Sequence, residues 1–116
     1  MIDISAIFKN KALDEEKLTD FGFIRNGDAY SNDFLILKDQ YRVTVTVKPD
    51  GSADFRVYEA DSGEEYMLAH IYDAKGAFIG KVHKACEAIL TDLSQNCYHT
   101  EYFKWEQSKR ILAYIR

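Results

Sequence analysis

The chain is poor in residues that break or staple a fold. Its 116 residues include one proline, Pro49, and two cysteines, Cys86 and Cys97. Two cysteines do not make a disulfide-dense secreted scaffold, and they read as buried thiols in a reducing compartment. No run approaches the ~20 consecutive apolar residues that a membrane span needs. Met1-Ile2-Asp3-Ile4 lacks the basic start and apolar stretch of a secretory signal. The cytoplasm is therefore the expected compartment. Repeats, low-complexity tracts and linkers are also missing, which leaves a single domain over residues 1–116.

Apolar mass is present in ordinary amount. The composition is 47% hydrophobic, with eight Tyr, seven Phe and Trp105. A chain of this length buries very roughly 65% of its unfolded surface, enough for one core. Disorder is excluded, because disordered chains lack the apolar side chains that offset backbone entropy. The net charge of −4 is divided unevenly: residues 1–74 carry −7 and residues 75–116 carry +3. Such a split marks either an interaction face or two surfaces with different solvated charges.

Local patterns give the elements. An opening helical segment precedes a second helix start at Asp14, where Asp14 is placed to cap. Glu15 and Glu16 suit the positive helix end, and Leu13 can staple onto Leu18. Gly22 is a natural stop. Asn26-Gly27 predicts a two-residue hairpin turn joining Phe21–Arg25 to Asp28–Leu37. Tyr41–Val47 and Ala53–Val57 alternate apolar and polar, with Lys48-Pro49-Asp50-Gly51-Ser52 between them. A three-residue loop, Pro49-Asp50-Gly51, pairs Val47 with Ala53, Val45 with Phe55 and Val43 with Val57. A four-residue loop would set apolar against polar, so the shorter loop is expected.

The segment Glu64–Tyr72 reads as a further strand, although Ser62 and Glu65 could instead form a capping box. Phe78, Ile79, Val82, Ala85, Cys86, Ile89, Leu90, Leu93 and Cys97 then recur at helical spacing. Gly76 suits a turn, and Gly80 a close helix contact. A last helix is expected from Glu101 to the end, with Phe103, Ile111, Leu112 and Ile115 on one face. The expected fold is α+β: an N-terminal helical segment, an antiparallel meander of four or five strands, and two C-terminal helices packed on one sheet face. The last helix has no C-cap signal before Arg116, so the domain is expected to be excised from a longer chain.

The run Gly76-Ala77-Phe78-Ile79-Gly80-Lys81-Val82, with Ile89-Leu90, Leu93 and Cys97, resembles a stretch of some bacterial MmcQ/YjbR-type proteins. There it belongs to an N-terminal region that precedes the YjbR-like domain. A looser likeness runs from Ile7-Phe8-Lys9-Asn10-Lys11 through Phe21-Gly22-Phe23 and Glu64-Glu65-Tyr66 to Tyr114-Ile115. His83 departs from the family's preference for arginine after the Gly-Lys-Val run, which makes this face less basic. The resemblance implies a bacterial accessory domain whose partner is the following YjbR-like domain. The family's DNA-binding label concerns that following domain and is not carried over to these residues.

Candidate chemistry is thin. His83 and Cys86 lie at i, i+3, and Cys97 and His99 follow. On one helix the cysteines would be ~16 Å apart at 1.5 Å rise per residue, too far to share an ion or form a disulfide. Cys86 beside His83 lacks an orienting third group for nucleophilic work. Glu64 with Glu65, and Asp14 with Glu15 and Glu16, are neighbours in sequence that point apart on a helix and suit capping or solvation. Gly76 to Lys81 falls short of a phosphate loop, having three residues between its glycines and Val82 after the lysine. No catalytic residue, metal or cofactor is therefore expected.

Two surface readings remain. Tyr102, Phe103 and Trp105 spread over more of a helix than one buried stripe requires, as contact surfaces do. Lys81, Lys84, Lys109 and Arg110 could meet phosphates, although a pI near 5.3 and the interspersed Glu87, Asp92 and Glu106 oppose this. The expected function is a non-catalytic interaction module, and weak sequence-independent nucleic-acid binding is the alternative.

Overall fold

The computed structural model describes residues 4–67 and 76–100. A single turn of helix, α1 (Ile4–Ile7), leads to a short strand, β1 (Lys11–Leu13), and then to α2 (Glu15–Asp20). Asp14 takes the N-cap position in extended conformation, but its carboxylate makes no capping bond. Its N–H donates to the Cys97 carbonyl at 2.8 Å, which anchors the helix start to the end of the long helix below. The other end of α2 closes as the glycine demanded. Gly22 has φ +98, its N–H donates to Thr19, and the Phe23 N–H reaches back to the Leu18 carbonyl at 2.9 Å. This paired closure, with Leu18 and Phe23 both buried, is a Schellman cap.

Four strands follow as an antiparallel meander: β2 (Ile24–Asn26), β3 (Ala29–Ile36), β4 (Tyr41–Val47) and β5 (Ala53–Glu59), paired in that order. The first turn lies one residue later than the sequence suggests. Asn26 pairs with Ala29, so the loop is Gly27-Asp28 and the strand starts at Ile24 rather than Phe21. Gly27, at φ +68, takes the first loop position, the one that glycine fills in a type II′ turn. Phe21 and Gly22 are consumed by the helix cap.

The β4–β5 register is the one expected, with Val47↔Ala53, Val45↔Phe55 and Val43↔Val57. The Lys48 N–H donates to the Ser52 carbonyl at 2.9 Å, and Gly51 sits at φ +90, so the loop is Pro49-Asp50-Gly51. Hydrogen bonding from the Ser52 side chain, then from the Ser52 N–H at 2.8 Å, holds the Asp50 carboxyl below the ordinary range. The expected strand after Glu64 is reduced to one bridge, Tyr58↔Glu65, and residues 68–72 lie outside the described residues.

The long helix α3 (Ala77–Cys97) covers the apolar sheet face. Val82, Cys86, Leu90, Leu93, Ser94 and Cys97 are buried along it, and at ~1.5–3 kcal/mol for each large side chain this stripe is a main source of stability. They join Leu18, Phe23, Tyr30, Ile36, Val43, Val45, Val47, Phe55, Val57 and Tyr98 in one core. Phe78 departs from the expected stripe. It is 42% exposed near the helix start, its ring 5.5 Å from Tyr41 and 5.9 Å from Tyr66. Gly80 also departs: a Cβ there would meet nothing within 4 Å, so no close packing demands glycine.

The helix gives way at Cys97 to a strand that periodicity did not announce. This strand, β6 (Tyr98–Thr100), pairs antiparallel with β1 as Leu13↔Tyr98, Ala12↔His99 and Lys11↔Thr100. The expected last helix, with Phe103, Ile111, Leu112 and Ile115, lies outside the described residues.

Candidate functional site

The outer side of α3 is the described surface that best fits a contact role. Burial of the stripe from Val82 to Cys97 turns Lys81, Lys84, Glu87, Ala88, Asp92 and Gln95 outward. Lys84, Glu87, Ala88, Ile89, Thr91, Asp92 and Gln95 line a depression of about 780 Å³. Its floor is the half-buried Ile89 beside Ala88, and its rim carries both charges and an amide. An apolar centre within a polar rim is the anatomy of a protein contact. The first turn of α3 carries no acidic residue and its last turn no basic one, so neither helix end is complemented by charge.

Of the expected phosphate contacts, Lys81 and Lys84 are exposed on this helix, with Glu87 three residues after Lys84. Lys109 and Arg110 lie outside the described residues, as do Tyr102, Phe103 and Trp105.

The thiols are held far from reactivity. Cys86 and Cys97 are free and buried on one helix. Burial pushes Cys86 up to about 12. Burial, followed by the nearby Asp14, Asp92 and Asp20, pushes Cys97 up to about 11. The Cys97 Sγ–H points at the Lys17 carbonyl at 3.6 Å. Reactive cysteines show the opposite shift. His99 is on β6, not on the helix with Cys97, and its Nε2 is buried without a hydrogen-bond partner among the described residues. Among the described residues no three His, Cys, Asp or Glu side chains are grouped to hold a metal ion.

Two polar features escaped the sequence reading. Ser94, buried among apolar neighbours, accepts from Lys11 Nζ at 2.6 Å and donates to the Ile7 carbonyl at 3.1 Å, pinning α1 and β1 onto α3. Tyr98 donates to the Gly51 carbonyl at 2.8 Å, tying β6 to the β4–β5 loop, and its burial raises its phenol. A serine within an apolar helical stripe was the available signal for the first. Nothing local signalled the second.

On the open sheet face Arg42 lies over the Tyr58 ring at 5.0 Å, and Arg56 pairs with Glu65 at 3.0 Å. A smaller hollow of about 270 Å³ is lined by Gln40, Tyr41, Glu59, Asp61 and Ser62, where Ser62 donates to Glu59 at 2.8 Å.

The chain matches no family model, no curated protein and no solved structure. No helix among the described residues is long and apolar enough to cross a membrane.

Proposed function

We propose that this is a non-catalytic interaction domain of a cytoplasmic bacterial protein, docking through the outer side of α3. The observation that carries the reading is the apolar floor of Ile89 and Ala88 within the charged rim of Lys84, Glu87, Asp92 and Gln95. The elevated thiols of Cys86 and Cys97 supply no nucleophile. The partner we favour, on the resemblance to MmcQ/YjbR-type proteins, is the YjbR-like domain that follows this region in them.

The test compares the chain alone with a longer protein that carries the following domain. Lys84 should react more slowly with an acylating reagent in the longer form, and Ala88→Arg should restore its reactivity without unfolding either protein. Equal Lys84 reactivity in both forms would remove the reading. Weak nucleic-acid binding through Lys81, Lys84, Lys109 and Arg110 is the lesser proposal, and Glu87 and Asp92 beside the lysines weigh against it. No binding of labelled duplex at low salt and tens of micromolar protein would retire it.

A further inference from the structure

The sequence has four asparagines: Asn10, Asn26, Asn32 and Asn96. Three are shielded. Asn32 lies within β3 and its amide nitrogen donates to the Phe21 carbonyl at 3.4 Å. Asn96 sits in α3 and donates to the Asp92 carbonyl and carboxylate at 2.7 and 3.0 Å. Asn10 is followed by Lys11, whose side chain crowds the peptide nitrogen and whose N–H donates to the Phe8 carbonyl at 3.2 Å.

Asn26 has neither a bond of its own nor a bulky neighbour after it. It is exposed at the end of the edge strand β2, and its side chain makes no hydrogen bond among the described residues. The next residue is Gly27, with no side chain and nothing within 4 Å of where a Cβ would stand. In a two-residue loop the ladder runs through the flanking pair, here Asn26 and Ala29, which leaves the Gly27 N–H outside it.

We propose that Asn26-Gly27 is a modification site at which Asn26 deamidates spontaneously through a cyclic imide. Hydroxide removes the Gly27 amide proton, and the nitrogen attacks Asn26 Cγ. The N–Cγ bond forms, the Cγ–Nδ2 bond breaks, and Nδ2 takes a proton from water and leaves as ammonia. Water then opens the ring at one of its two carbonyls, giving an aspartyl or an isoaspartyl residue at position 26. No electrons are exchanged, and water is the only co-reactant. The rate rises with pH because the attacking nitrogen must lose its proton.

Both products place a carboxylate near Asp28, in the half of the chain that already carries −7. The isoaspartyl form also inserts a methylene into the backbone at the Asn26↔Ala29 pair. β2 has three residues, all exposed, and little else to hold it at the sheet edge. Deamidation therefore loosens the first strand of the meander.

The experiment incubates the whole chain at mildly alkaline pH and physiological temperature, then maps tryptic peptides by mass and fragments the peptide from Asn26 to Lys38, which holds both Asn26 and Asn32, to separate the two. The peptide that begins after Arg25 should gain the mass of an amide-to-acid exchange and split into two chromatographic products. Its rate should exceed that of Asn10, Asn32 and Asn96 by about an order of magnitude or more, a ratio that a small barrier difference supplies. The gain should accelerate with pH and vanish in Asn26→Gln. Equal rates at all four asparagines, a pH-independent rate, or an unchanged peptide after weeks would overturn the proposal.

Discussion

At the scale of single residues, Gly80 and the β3–β4 loop hold backbone conformations that their residue types do not favour. Gly80 lies inside α3 with open space around it. Glycine in a helix interior is less stable than alanine by roughly 0.5–1 kcal/mol. Gly80→Ala should therefore raise the urea midpoint by that free energy; a fall would mean that the bare backbone is needed for packing. The β3–β4 loop poses the reverse case. Leu37, Lys38 and Asp39 all have positive φ, at 52°, 57° and 64°. Each left-handed L-residue costs roughly 1–2 kcal/mol. Lys38→Gly relieves one of them at some expense in unfolded-chain entropy. A net gain of up to about 1 kcal/mol is expected in the same unfolding measurement.

Among the elements, the sheet and the long helix were legible because their patterns are local and repeat. Val43, Val45 and Val47 alternate with Arg42, Thr44 and Thr46, and turn length then set the β4–β5 pairing. Where two signals compete, reading falters. Asn26 and Gly27 both favour turns, and glycine's freedom at the first loop position decided the register. The β1–β6 pairing was invisible because each strand has three residues and its partner stands at the far end of the described chain. Ser94 illustrates the consequence at this scale. Ser94→Ala leaves the Ile7 carbonyl and Lys11 ammonium without their buried partner. A loss of about 1–3 kcal/mol is expected, with faster amide exchange in β1 as the local readout. The candidate contact surface was half legible: Lys84 was named from sequence, and Ile89, assigned to the stripe, packs against the core as expected and also lines the depression.

The whole molecule should respond to alkali in one direction. Cys86 and Cys97 have raised pKa values in the folded state, and Tyr98 is shifted the same way, chiefly by burial. The unfolded thiol ionises near its ordinary value of 9.0 while the folded one keeps its proton. The folded state then binds more protons, so stability falls as pH rises. Their contribution is complete below about pH 9 and declines as pH climbs towards the folded values of about 11 and about 12. Urea midpoints should be level on the acid side of that window and drop within it. In Cys86→Ala the drop should be shallower, whatever the variant's absolute stability.

The clasp between Leu13 and Tyr98 bears on kinetics. It joins segments separated by nearly all of the described sequence, the largest loop closure in the pairing scheme. Closing so long a loop requires ends that have already been brought near each other, which the hairpins and α3 accomplish at shorter range. The clasp should therefore fasten after the rate-limiting barrier. In stopped-flow chevrons Tyr98→Phe, which removes the bond to Gly51, should speed unfolding and leave the refolding limb nearly unchanged.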